Sequence, residues 1–369
     1  MTDLQVQSKP ERLFYIDNIR LLVIIFVVTV HMACMYSGLP IFYYSEAKRI
    51  SALGLFYIEF QQAYFMGLLF LLSGYFVGDS YDKKGLGRFI GDRAIRLLIP
   101  TLIYMVILMP IVQYAELGKA FSFYLRRFLV SYGVMWFAVA LFIFSAVYAV
   151  VRKSGRSRNT ANNVTDGNLT RGKLWALILL ITICAFVIRL FFKLGTAQFG
   201  MELCYFASYI ILFIAGTYAK KHDTFSQISY KNGKRWLTAG IVVGVFGWAI
   251  LMILGLLTGK AVSLPVVSGI YNAAYALWES FTGVAICTGL IGVFKEKFNK
   301  QNNLIKAMAG SSFTVYVIHA PIIVGVAVLA GPIAIPLLLK WVIMCVICVP
   351  ICFAVAYFIR KIPLLNKIL

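Results

Sequence analysis

The chain reads as an all-α, polytopic integral-membrane bundle of about ten transmembrane helices with both termini in the cytoplasm. Three observations predict this. Of 369 residues, 61% are apolar and only 13% charged, against roughly 45–50% and about 25% in soluble domains. Ten stretches are apolar over about the 20 residues that a helix needs to cross a bilayer. The basic residues also fall on alternate sides of those stretches. Three lie up to Arg20, five in 79–96, six in 152–173, five in 220–235, four in 295–306 and three after 359, in all 26 of the 35 Lys and Arg. The positive-inside rule makes that side, which holds both termini, cytoplasmic.

The first span, 19–37, is a Leu/Val/Ile run interrupted by His31. It is not a signal peptide, because no small-x-small cleavage site follows a short apolar core. The second, 52–78, carries Glu59 in its outer part and a small pair, Ser73-Gly74, that lets helices approach closely. The third, 96–114, starts from the basic segment Asp92-Arg93-Ala-Ile-Arg96. The fourth, 132–151, opens near Trp136-Phe137. The fifth and sixth, 174–193 and 202–219, hold Arg189 in the outer part of the fifth. The seventh, 236–257, is apolar throughout, and the eighth, 267–294, carries Glu279 near its middle. The ninth and tenth, 313–330 and 333–359, are divided at Gly331-Pro332, a turn signal. No ten-residue alternation suggests a β-barrel. Linkers are short, so residues 1–369 form a single membrane domain. Reporter fusions at residues 1, 160 and 369 are expected to report cytoplasm at all three; a signal from the opposite side at either terminus would break the span count.

The net charge of +21 is thereby a signal of topology and of anionic membrane lipids, not of nucleic acid. Seven cysteines in so long a chain make no disulfide scaffold. Cys345, Cys348 and Cys352 recur at helical spacing and read as apolar packing. No metal motif and no Gly-x-Ser-x-Gly elbow is present, so no metal site is expected.

Ionisable groups at membrane depth are costly and mark function. Arg20 and His31 are eleven residues apart, which at about 100° per residue places them within about 20° of one direction, three turns apart. Asp17 lies within about 60° of the same stripe. One reading gives His31 to a hydrogen bond with a neighbouring helix and Arg20 to lipid phosphate. The other is a general base with cationic support, since an imidazole titrates near neutrality. Arg93 and Arg96 share a helix face. They serve either as part of the basic cluster or as a bidentate grip on a multiply charged phosphate ligand. His319 lies about 9 Å into the ninth span. Glu279 or Glu59 either orients His31 or pairs Arg189. An acceptor pocket is expected among this outer set.

Together these residues resemble the membrane-bound acyltransferase 3 family. The ordered pieces are Tyr15-Ile-Asp17-Asn18-Ile-Arg20 with His31; Phe70-Leu-Leu-Ser73-Gly74-Tyr75-Phe76; Arg93-Ala-Ile-Arg96-Leu-Leu-Ile-Pro100; Trp136-Phe137; and Val315-Tyr316-Val-Ile-His319-Ala-Pro321. The resemblance implies an O-acyltransferase in the cell membrane, a bacterial inner or plasma membrane. Its donor substrate would be cytoplasmic acyl-CoA, with no tightly bound cofactor. Its acceptor would be a carbohydrate or lipid-linked glycan of the cell envelope, and the acyl group acetyl or succinyl. His31 matches the family's essential histidine, Arg20 the arginine eleven residues before it, and Arg93 with Arg96 the family's arginine pair. Two positions depart. Many members have Arg-x-Arg where this chain has Arg-x-x-Arg. Leu141 stands where members that modify O-antigen often carry glutamate, so Trp136-Phe137 looks more like the glucan-modifying branch. Direct transfer and an acyl-histidine intermediate both fit. The rival class is a proton-coupled secondary transporter of a small polar solute, with His31, Glu279 and Arg189 as its relay. No pair of inverted halves with broken helices supports it.

Overall fold

A computed structural model describes residues 12–39, 42–46, 50–117, 132–155, 168–198, 200–257, 269–363, 365 and 368. Most of the predicted basic loop 152–173, namely 156–167, lies outside the described residues. The helices are α1 (Phe14–Tyr36), α2 (Ala52–Gln62), α3 (Phe65–Ile103), α4 (Met109–Leu117), α5 (Trp136–Lys153) and α6 (Arg171–Phe191). They continue with α7 (Phe206–Lys221), α8 (Tyr230–Leu257), α9 (Ile270–Lys297), α10 (Asn303–Ala330) and α11 (Leu337–Ile359).

Among the described residues, nine helical stretches are long and apolar enough to cross a bilayer. Nine stretches hold the ten expected apolar runs because the predicted spans 52–78 and 96–114 both lie in one stretch of 62 residues, Ala52–Gln113. That stretch is broken at Gly85, with φ 69° and ψ 172°, a conformation open to glycine and strained for other residues. The break turns the chain: Lys84 Nζ meets the Asp92 carboxylate at 2.7 Å. Eight residues of unbroken helix would hold their backbones about 12 Å apart. Past Pro100, one π-helical turn, Tyr104–Leu108, joins α3 to α4.

The segments rich in Lys and Arg gather at one end. At the start of α1, Asn18 Nδ2 donates to the carbonyls of Phe298 and Lys300. Arg152 at the end of α5 pairs with Asp82, and Lys220 at the end of α7 with Asp79. Lys295 near the end of α9 donates to the carbonyls of Phe225 and Ser226. This basic end holds the amino-terminal end of α1 and the carboxy-terminal end of α11.

Helices α9, α1 and α10 are the most enclosed; α6, α8 and α11 are peripheral. The peripheral helices expose rows such as Leu179, Ile183 and Leu190, or Val342 and Val346. Such surface is a liability in water and a match to hydrocarbon. Tight crossings depend on glycine. A Cβ on Gly74 of α3 would strike the backbone of Phe213 on α7, and one on Gly216 the backbone of Leu71. Gly233 and Gly292 meet in the same way where α8 crosses α9. The small residue of the Ser73-Gly74 motif therefore sets a backbone-to-backbone contact.

Candidate active site

Two cavities approach each other from opposite ends of the bundle. The basic-end cavity, about 550 Å³, is lined by Arg20, Lys84, Asp92, Arg93, Arg96 and Arg360, with Phe89, Leu97 and Phe313 as its apolar wall. Arg20 comes from α1, Arg93 and Arg96 from α3, and Arg360 from the end of α11. Lys84 and Asp92 neutralise one another, which leaves four guanidiniums. Asp17 does not line this cavity; it holds Arg20 from behind, with one oxygen 3.6 Å from Arg20 Nη1 and the other 2.8 Å from Arg12 Nε. The Arg20 guanidinium also lies 5.0 Å over the Phe76 ring, and that of Arg93 lies 5.3 Å over Phe89. Arg360 Nε is buried and has no hydrogen-bond partner among the described residues. Planar donors fixed by aromatic faces suit phosphate oxygens.

The far cavity, about 540 Å³, is lined by His31, Glu59, Gln62, Glu202 and a ring of aromatics that includes Phe42, Tyr43, Trp136, Tyr205, Tyr209 and Tyr316. Arg20 thus faces one cavity and His31, on the same helix, the other. The two spaces come within one turn on α10, where Phe313 lines the first and Tyr316 the second, about 4.5 Å along the axis. Behind Tyr316 the motif residues pack as a layer: Phe137 against Tyr316 with centroids 6.0 Å apart, Phe70 against Phe137 at 4.7 Å, and Trp136 against Tyr209 at 5.6 Å.

His31 is held from two sides. Phe42 stacks on its ring at 4.6 Å. His319 Nε2 lies 2.9 Å from His31 Nδ1, and His319 Nδ1 lies 2.7 Å from the Tyr316 carbonyl. These contacts order the protons. A carbonyl only accepts, so His319 Nδ1 carries the hydrogen and the neutral ring offers its Nε2 lone pair. His31 Nδ1 must then donate, and the lone pair of neutral His31 sits on Nε2. The partner that orients His31 is therefore His319, and not Glu59 or Glu279, the acids considered from sequence.

Glu279 pairs instead with Arg189, and both are buried. The Arg189 guanidinium lies between the rings of Tyr205 and Tyr275, at 5.5 and 5.0 Å. The pair stands behind the cavity wall and does not line it, which corrects the expectation that both belong to the pocket. Glu59 does line it and accepts a hydrogen bond from the Tyr275 hydroxyl.

Two residues of the cavities, and a supporting pair beside the far one, had no sequence signal. Arg360 looked like an ordinary positive-inside residue, and Glu202 an ordinary loop acid. Glu46 and Lys340 form a clasp: the fully buried Lys340 ammonium reaches Glu46 at 2.5 Å and the Ile333 carbonyl at 3.1 Å. It fixes the segment that carries Phe42 against His31. Among the described residues no group of three His, Cys, Asp or Glu side chains is placed to hold a metal.

No curated protein and no solved structure matches this chain. The sequence model of an acyltransferase domain, however, matches residues 13–357. That match takes in the far cavity, the basic-end cavity apart from its Arg360 side, the histidine pair and every motif piece of the aromatic layer, and the chain belongs to the acyltransferase 3 family of membrane proteins.

Proposed function

We propose that this membrane acyltransferase takes an acetyl or succinyl group from acyl-CoA at the basic, cytoplasmic end. It passes that group to a hydroxyl of a cell-envelope carbohydrate or lipid-linked glycan in the far cavity, across a bacterial inner or plasma membrane. One observation carries the reading: a cavity with four guanidiniums stops one helical turn short of a cavity that holds an oriented imidazole. Coenzyme A presents a pyrophosphate and a further phosphate, which suit Arg93, Arg96, Arg360 and Arg20. Its thioester arm is thin enough to reach the aromatic layer. His31 Nε2 takes the proton of the acceptor hydroxyl as the oxygen attacks the thioester carbonyl. Collapse of the adduct breaks the carbon–sulfur bond, and the thiolate leaves and takes up a proton. Trp136 and the tyrosines give the acceptor ring flat apolar faces, and the polar groups among them fix its orientation.

Arg93→Ala or Arg96→Ala is expected to raise KM for acyl-CoA about ten- to a hundredfold, since a hydrogen bond to a charged group contributes roughly 1.5–3 kcal/mol. Arg360→Ala should behave alike. Steady-state kinetics on purified protein with varied acyl-CoA provides the check. Unchanged donor KM in both Arg93 and Arg96 variants would assign the pair to topology and sink the donor assignment.

A further inference from the structure

The far cavity has a charge pattern that the near one lacks. Among the described residues its lining holds two carboxylates, Glu59 and Glu202, one imidazole and many aromatic faces, and no Lys or Arg. Two buried cations, Arg189 behind the Tyr205 ring and Lys340, are paired with Glu279 and Glu46. Glu59 accepts one hydrogen bond, from Tyr275, and keeps acceptor capacity. Glu202 opens from the loop before α7 and has no ion-pair partner among the described residues. Aromatic faces are themselves electron-rich and attract cations.

An anionic sugar ring placed here would meet like charge and find no cation among the described lining residues to balance it. A ring rich in O–H or N–H donors would find two carboxylates as acceptors. We propose that the far cavity accepts a sugar ring that carries hydroxyl or amine groups and no anionic group, with Glu202 and Glu59 as its hydrogen-bond acceptors. This rests on the acceptor reading of the far cavity and adds the acceptor's charge class to it.

The test uses the detergent-solubilised full-length protein with acetyl-CoA and three matched alkyl glycosides: a glucoside, a glucosaminide with a free amine, and a glucuronide. Mass spectrometry reads O-acylated product. The first two are expected to be acylated, and the glucuronide to show kcat/KM at least tenfold lower, equivalent to about 1.4 kcal/mol. Glu202→Gln should shrink that gap at least threefold, and Glu202→Lys should shrink it further. Three results would overturn the proposal: a glucuronide as good as the glucoside, a gap unmoved by both Glu202 variants, or no glycoside acylated while acetyl-CoA is consumed. If acetyl-CoA and succinyl-CoA both go unconsumed with every glycoside, the donor reading fails instead. Saturation-transfer NMR with the same three glycosides then still decides the cavity's preference.

Discussion

Replacement of His31 by glutamine is expected to cut acyl transfer by about 10²–10⁴-fold, the usual contribution of a general base. Expression and acyl-CoA binding should persist, because His31 lines the far cavity and not the one with the arginines. Glutamine keeps hydrogen-bonding capacity toward His319 but has no nitrogen lone pair that takes a proton. His31→Gln thus separates base chemistry from packing. His319→Gln is expected to lower kcat less and to leave the donor KM in place, because it disturbs the orientation of His31 without removing the base. Near wild-type turnover in His31→Gln would end the mechanism, and His319 would become the next candidate.

The second large effect falls on stability. Arg189 and Glu279 lie at 3% exposure each, in contact with one another and with tyrosine rings. Removal of one partner leaves a buried charge without its counterion, at a cost of about 3–5 kcal/mol. Glu279→Leu and Arg189→Met should each lower the thermal midpoint sharply in detergent. The double variant should recover much of the loss, because an apolar pair of similar volume leaves no uncompensated charge. Equal destabilisation by the double and the single variants would show that the rest of the site depends on the pair's charges.

Helical periodicity reports which face a residue occupies and how deep it lies. That is why the Arg20–His31 stripe, the Arg93/Arg96 face and the apolar spans were legible. It does not report which helix packs against that face. His319 is 288 residues from His31, and no pattern within either segment shows their hydrogen bond. Arg360 was hidden for the same reason, as its neighbours in space come from α1 and α3. The Ala52–Gln113 stretch was split correctly into two apolar runs, but the hydropathy pattern could not show that helical structure continues to Gly85 and resumes at once. The pairing of Glu279 with Arg189 was one of the readings open from sequence, but its place behind the cavity wall was not legible. Membrane depth marked both as functional, and a buried ion pair satisfies the same sequence pattern.

The ring layer of Phe70, Phe137, Phe313 and Tyr316 also sets an electrical condition. A bundle hollowed from both ends leaves little more than this thickness to hold off the transmembrane voltage, about 2.3 kcal/mol per elementary charge at 100 mV. Packed aromatic rings there provide no water wire and no fixed charge along which ions could leak. An acetyl group carries no charge and would move through that drop without electrical work. A succinyl group brings a carboxylate into it, so succinyl transfer would follow the voltage and acetyl transfer would not.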